Sequence, residues 1–166
     1  MIAALDVSYG ERGAASACVL FHDFADPIED RALVEAIPEV APYEPGAFYR
    51  RELPCLLAVL RRVEAPLALI IVDGYVWLAE GKPGLGARLF EALGREVPVV
   101  GVAKTSFAGS GFAVPVLRGE STRPLFVTAA GVEPALAGGW IAGMHGEHRI
   151  PTLLRRVDRL CRDATP

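Results

Sequence analysis

Two aspartates close apolar runs in this chain: Asp6 follows residues 1–5 and Asp73 follows residues 67–72. Both runs read as buried strands, so each carboxylate is expected at a strand end. Glu52 lies in Arg50-Arg-Glu-Leu-Pro54, at what reads as the mouth of a helix, within reach of the same spot. A lone aspartate at a strand end is explained by turn or cap chemistry, whereas three acids on one edge speak for a shared task. Carboxylates gathered at the ends of buried strands are costly unless a cation neutralises them. An all-oxygen cluster suits Mg2+, with Mn2+ as a second choice. Two such ions about 3.5–4 Å apart polarise a phosphate, activate water and stabilise a leaving oxygen. The chemistry indicated is metal-dependent phosphodiester hydrolysis.

Two further segments fit that chemistry. Lys104 follows the apolar run 97–103 and precedes Thr105, where an ammonium can meet a phosphate or a developing oxyanion as a point charge. Pro42-Tyr-Glu-Pro-Gly46 is a rigid loop, with two prolines restricting the backbone and Gly46 permitting a sharp turn. A stiff loop carrying Tyr43 is suited to wedging between base steps and holding an unstacked base out of a helix.

The chain has 166 residues, enough for one domain with a full core, and 52% of them are apolar, which argues against disorder. The apolar runs fall short of the roughly 18 residues that span a bilayer. The N-terminus lacks a basic segment leading into an apolar one, so no signal peptide is expected. Cys18, Cys55 and Cys161 show no CxxC spacing, and a cytoplasmic protein with reduced cysteines is expected. The net charge of −3 runs against the usual excess of a nucleic-acid binder. Arg50, Arg51, Arg61, Arg62, Arg155, Arg156, Arg159 and Arg162 could form a local basic face that compensates, with ordinary solvated helix surfaces as the alternative reading of each cluster.

Positioning these groups requires a sheet. Residues 2–8, 14–21 and 30–37 read as three strands on short turns, an antiparallel meander. Leu53, Leu56, Leu57 and Leu60 follow helical spacing, with Pro54 expected in the first turn. The run 67–72 predicts a fully buried central strand. Leu85, Leu89, Phe90 and Leu93 predict a second helix ended by Gly94, and 97–103 another buried strand. Strands over 114–117 and 124–129 and helices over 134–144 and 153–163 complete the chain. The order βββ-α-β-α-β predicts an α/β fold: a ribonuclease H-like mixed sheet with an antiparallel meander, flanked by helices, in a single domain spanning 1–166. Trp77 reads as a packing residue, His145 and His148 as surface residues, and the glycines of 81–86 as turn and helix packing.

Together these motifs resemble the endonuclease V family, which nicks nucleic acid near deoxyinosine and related deaminated bases. The resemblance runs from Ile2 to about Asp158. It rests on Asp6-Val7, Pro42-Tyr-x-Pro-Gly46, Arg51-Glu-x-Pro54, Val72-Asp-Gly74 and Gly101-Val-Ala-Lys104. Pro124-Leu-Phe-Val127, and Arg149-Ile-Pro151 with Arg155 and Asp158, look like the family's late strand and C-terminal helix start. The resemblance implies Asp6, Glu52 and Asp73 as metal ligands, Asp158 as an accessory acid near the metal, and Lys104 as a transition-state contact. It implies Tyr43 as wedge, with Gly46 and Gly74 letting backbone approach the lesion base. Pro45, Arg51, Tyr75 and Thr105 complete the expected nucleic-acid contacts. The implied partner is DNA, with inosine in RNA as an alternative, met by a monomer. The implied product is a nick at the second phosphodiester 3′ of the lesion.

The chain departs from the family in three places. Tyr75-Val76-Trp77 stands where His-Gly is common after the Asp-Gly pair, and Lys82-Pro83 replaces a His-Pro pair. Pro151-Thr-Leu-Leu-Arg155 replaces Pro-Glu-Pro-Thr-Arg. A related nuclease with altered specificity, or a non-catalytic nucleic-acid-binding relative, are the alternatives these departures raise.

Overall fold

The computed structural model describes residues 1–107, 109 and 111–166. Three long antiparallel strands open the chain: β1 (Ile2–Gly10), β2 (Gly13–Phe21) and β3 (Arg31–Ile37). Helix α1 (Tyr49–Leu60) leads to β4 (Leu69–Asp73), a short hairpin of β5 (Trp77–Ala79) and β6 (Lys82–Pro83), and α2 (Leu85–Ala92). Strands β7 (Val99–Ala103), β8 (Val114–Val116) and β9 (Leu125–Ala130) precede α3 (Pro134–Gly143) and α4 (Thr152–Ala164). The main sheet has seven strands in the order β3-β2-β1-β4-β7-β9-β8. Strands β1, β4 and β7 run parallel at its centre, and the meander and β9 pair antiparallel on either side. This is the expected mixed, helix-covered sheet.

Alternation along the central strands sorts side chains onto two faces. Ile2, Ala4, Ile71, Val100 and Val102 pack under α3 and α4. Ala3, Leu5, Ile70, Val72 and Val99 pack under α1 and α2. Helix α4 buries Leu153, Val157 and Cys161, a stripe spaced by four residues that lays it along β1 and β2. By the same alternation Asp6, Asp73 and Lys104 fall on the α4 face, whereas Glu52 arrives on α1 from the opposite one.

Two expectations need correction. Pro54 lies inside α1 rather than in its first turn, because the helix begins at Tyr49. The first turn is tightened by bonds from Arg50 N–H to the Ala47 carbonyl and from Arg51 N–H to the Phe48 carbonyl, which the leucine stripe does not register. The β5–β6 hairpin was not anticipated either, since strands of three and two residues are too short to show alternation.

The turn after β4 depends on a glycine from another strand. A side chain at Gly101 would lie 2.5 Å from the Gly74 carbonyl oxygen and 2.8 Å from the Val76 nitrogen. Gly101 therefore lets the segment after Asp73 cross directly over β7. Gly74 turns that segment with φ 106°, a conformation costly for other residues. The crossing is fastened by Gly74 N–H on the Val102 carbonyl at 3.1 Å and Val76 N–H on Thr128 Oγ1 at 2.8 Å. Trp77 packs half-buried and donates to the Ala129 carbonyl at 3.0 Å, as its packing role requires.

Arg118 is buried, 5% exposed, and closes the C-terminal end of α3. Its guanidinium donates to the carbonyls of Ile141, Ala142, Met144 and Gly146 at 2.8–2.9 Å. Those oxygens belong to the last turn of the helix and the loop that leaves it, where carbonyls lack helical partners, and a five-donor fork meets several of them at once. Arg118→Met is expected to destabilise the protein by about 3 kcal/mol or more, because each buried carbonyl left without a donor costs about 1–3 kcal/mol. Chemical denaturation of the two proteins measures the difference.

Candidate active site

Parallel pairing sets Leu5 beside Val72 and Asp73 beside Val102. One step further, Asp6 stands next to Asp73, and Lys104 extends from the neighbouring strand. Asp6, Asp73, Lys104, Asp158, Arg155 and Arg162 line a cleft of about 300 Å³, walled by Ile150, Pro151 and Leu154. The cleft lies at the carboxyl ends of parallel strands, where open α/β sheets bind ligands. Of the expected acids, Asp6, Asp73 and Asp158 therefore meet in one cleft, while Glu52, on α1, does not line it and stands close enough to feel the charges of Asp6 and Asp73.

Crowding shows in the proton affinities. Burial, then the neighbouring Asp73 charge, pushes the Asp6 carboxyl up to about 7. Burial, then Asp6 and Asp73, pushes Glu52 up to about 8. The two side chains belong to residues only 8% and 9% exposed. Asp6 accepts a bond from Val7 N–H at 2.8 Å, and among the described residues neither a hydrogen bond nor an ion pair reaches the Glu52 carboxylate. Lys104 Nζ sits 2.6 Å from Asp73 Oδ2; burial loosens the lysine's proton, but this contact and the charges of Asp73, Asp6 and Asp158 together hold it more tightly than usual. Asp158 pairs with Arg162 at 3.0 Å, one helical turn away. From behind, Cys161 Sγ and Ser16 Oγ donate to the Asp6 carbonyl at 3.0 and 3.4 Å, seating α4 against β1.

Among the described residues, no three acidic, cysteine or histidine side chains converge into a ready-made ion cage. Lys104 draws Asp73 to itself and Arg162 draws Asp158. The donor chemistry nonetheless fits a hard divalent cation. Asp6 and Glu52 supply buried carboxylate oxygens that, among the described residues, no lysine or arginine contacts directly, and Asp73 and Asp158 can be released by their basic partners.

The remaining expected residues sit apart from the cleft. Tyr43 is 61% exposed on its loop, beside exposed Pro45 and Gly46. Its ring meets Phe48 edge-on at 6.2 Å, and Phe48 meets Tyr9 at 6.1 Å. Arg51 lies flat over Tyr9 at 4.1 Å, so a ladder of rings runs from the loop tip to the residue beside Glu52. Sequence reasoning missed Tyr9 and Phe48; an aromatic two residues past Gly46 was the available signal for the latter. Tyr75 donates to the carbonyl of exposed Thr105 at 2.8 Å. His145 and His148 are exposed, as expected. The basic face is largely neutralised within the protein: Arg50 pairs with Glu44, Arg62 with Glu35, Arg156 with Glu29 and Arg159 with Asp163. Among the described residues, Arg51, Arg61 and Arg155 make no ion pair.

A mixed sheet with acids on adjacent parallel strand ends and a lysine beside them defines a ribonuclease H-like, metal-dependent nuclease. Residues 1–132 match the endonuclease V family. Endonuclease V of Streptomyces avermitilis is 32% identical over 98% of this chain and 80% of its own length. That of Streptomyces coelicolor is 30% identical over 98% of this chain and 78% of its length. The crystal structure of the Streptomyces avermitilis endonuclease V superposes with a TM-score of 0.77 at 29% identity, covering 98% of this chain and 80% of that one. At 17% identity, the Ciona intestinalis endonuclease V shares the fold, with a TM-score of 0.81 over 98% of this chain and 83% of that one. That structure holds a 23mer DNA containing an inosine followed by a ribo-adenosine. The chain belongs to the endonuclease V family. It is a metal-dependent, nucleic-acid-binding endonuclease, and among the described residues no helix is long and apolar enough to cross a membrane.

Proposed function

We propose that this chain is a magnesium-dependent endonuclease, with manganese as a substitute, that acts on deoxyinosine and related deaminated bases in DNA. It hydrolyses the second phosphodiester 3′ of the lesion, leaving 3′-hydroxyl and 5′-phosphate ends. Residues 1–166 act as one domain and as a monomer, in the cytoplasm. The observation that carries this reading is the placing of buried Asp6 beside Asp73 in one cleft at the ends of adjacent parallel strands, with buried Glu52 close by on α1. Among the described residues Asp6 and Glu52 have no ion-pair partner, and Asp73 and Asp158 each have one that a metal can displace, which supports Asp6, Glu52 and Asp73 as ligands with Asp158 as accessory. A bound divalent ion supplies Lewis acidity toward phosphate and water.

The protein's own groups supply the rest. Lys104, 2.6 Å from Asp73, brings a fixed positive charge to the phosphate. Arg155 in the cleft and Arg51 beside Glu52 contact backbone phosphates, with Thr105 at the strand exit. Tyr43, carried by Pro45 and Gly46 and propped by Phe48, enters the base stack, while Gly74 brings backbone to the extruded base. Tyr43→Ala is expected to weaken binding of an inosine-containing duplex about tenfold, because the wedge no longer offsets the unstacking of the base, which costs about a few kcal/mol. Binding to a single strand, whose base is already unstacked, should change much less; fluorescence anisotropy on both substrates checks this.

The deciding experiment is cleavage of labelled duplexes and single strands, with and without one deoxyinosine, in magnesium, with an inosine-containing RNA alongside. A nick just 3′ of inosine in DNA is expected. Metal-dependent cutting that ignores inosine would favour a related nuclease of altered specificity, the reading that Tyr75 in place of a histidine supports. Binding without cutting would overturn the enzymatic reading.

A further inference from the structure

Strand β7 loses its partners just where its functional residue begins. Its pairing with β4 ends at Val102 and its pairing with β9 ends at Ala103. Lys104 and Thr105 therefore lie beyond the ladder, and side chains capture their carbonyls instead. Arg149 Nη2 donates to the Lys104 carbonyl, and the same guanidinium donates to the Arg123 and Pro124 carbonyls at 2.9 Å. Tyr75 Oη donates to the Thr105 carbonyl at 2.8 Å. Arg149 itself follows the loop that Arg118 holds through Met144, Gly146 and His148. Two consecutive peptides are thus gripped, one from the loop before α4 and one from the turn after Asp73.

We infer that Tyr75 and Arg149 are positioning residues for Lys104: they clamp its peptide and the next one, and so fix where the ammonium stands. This rests on the nuclease reading above and gives Tyr75 a task that does not involve touching the base. A lysine side chain has four rotatable bonds, so its placement against a phosphate is only as good as the backbone from which it starts. The Tyr75 ring also leans on Phe107, with centroids 6.3 Å apart, and Tyr75→Phe keeps that contact while removing the hydroxyl.

The test is single-turnover cleavage of an inosine-containing duplex by wild type, Tyr75→Phe, Lys104→Ala and the double variant. Duplex affinity is measured in parallel without divalent ions. Tyr75→Phe is expected to slow cleavage on the order of fivefold, the worth of one neutral hydrogen bond, with affinity unchanged within twofold. In the Lys104→Ala background the same change should cost nothing further. If that background is inactive, the split between rate and affinity decides alone. Arg149→Lys, which cannot span three carbonyls, should slow cleavage in the same way, with a matched melting temperature excluding misfolding. Weakened inosine affinity at an unchanged rate would overturn the inference, as would an equal loss with and without Lys104, or no loss at all. A wild type that does not cleave would instead sink the nuclease reading.

Discussion

Asp73→Ala is expected to lower cleavage by at least about a thousandfold while leaving duplex binding in place. Asp73 stands centrally, next to Asp6 on one side and bonded to Lys104 on the other, so its loss removes a proposed ligand and unseats the lysine together. Metal sites of this type act through oriented charge, and one missing carboxylate disturbs both metal occupancy and the phosphate's setting. Binding should persist because the ring ladder and the unpaired arginines are untouched, and because one negative charge has left the cleft. Gel-resolved cleavage with anisotropy in the absence of metal measures the two quantities separately. Asp158→Ala should cost far less, about tenfold, since Asp158 is already engaged by Arg162. Full activity in Asp73→Ala would refute the site assignment outright.

Asp6→Asn and Glu52→Gln are expected to stabilise the metal-free protein at pH 8 while abolishing its stabilisation by magnesium or manganese. The direction follows from the raised proton affinities. Asp6 moves from 3.8 to about 7 and Glu52 from 4.5 to about 8. Between the unfolded and folded values the native state holds more protons than the unfolded chain, so stability falls as pH rises through this window. Below about pH 4 both states hold the protons and the penalty vanishes; above pH 8 it is fully present, on the order of a few kcal/mol for the coupled pair. A divalent ion binds the charged forms and displaces the protons, so its stabilisation should be larger at pH 8 than at pH 6. Melting curves of wild type and both variants across pH 5–9, with and without the ion, read this out. A wild type insensitive to both pH and metal would show that Asp6 and Glu52 do not form the proposed cluster.

Much of this site was legible because its residues interrupt a pattern. Asp6 and Asp73 stand out as the first charges after apolar runs, and Lys104 does the same after another. Parallel pairing of adjacent strands brings such ends together whatever the details of packing. The helix stripes of α1 and α2 were equally plain: Leu56, Leu60 and Leu89 are buried, and Leu53, Leu57, Leu85 and Phe90 pack half-buried against the same cluster. Glu52 could be placed at the mouth of a helix, although the helix start at Tyr49 could not, because its opening bonds span three residues rather than four.

The sequence by itself thus determined the order of the main-sheet strands and helices, the apolar faces and the set of acids available for chemistry, because periodicity and strand ends are local properties of a chain. The tertiary structure decided how those acids are neutralised: Lys104 on Asp73, Arg162 on Asp158, and most of the presumed basic face spent on neighbouring carboxylates. It also decided that Arg118 and Arg149 hold backbone carbonyls rather than substrate. Arg149 reaches Lys104 across 45 positions and Tyr75 reaches Thr105 across 30. A side chain that bonds a distant carbonyl leaves no repeating signal, since any residue offers that oxygen, and only the folded chain says which one is in reach.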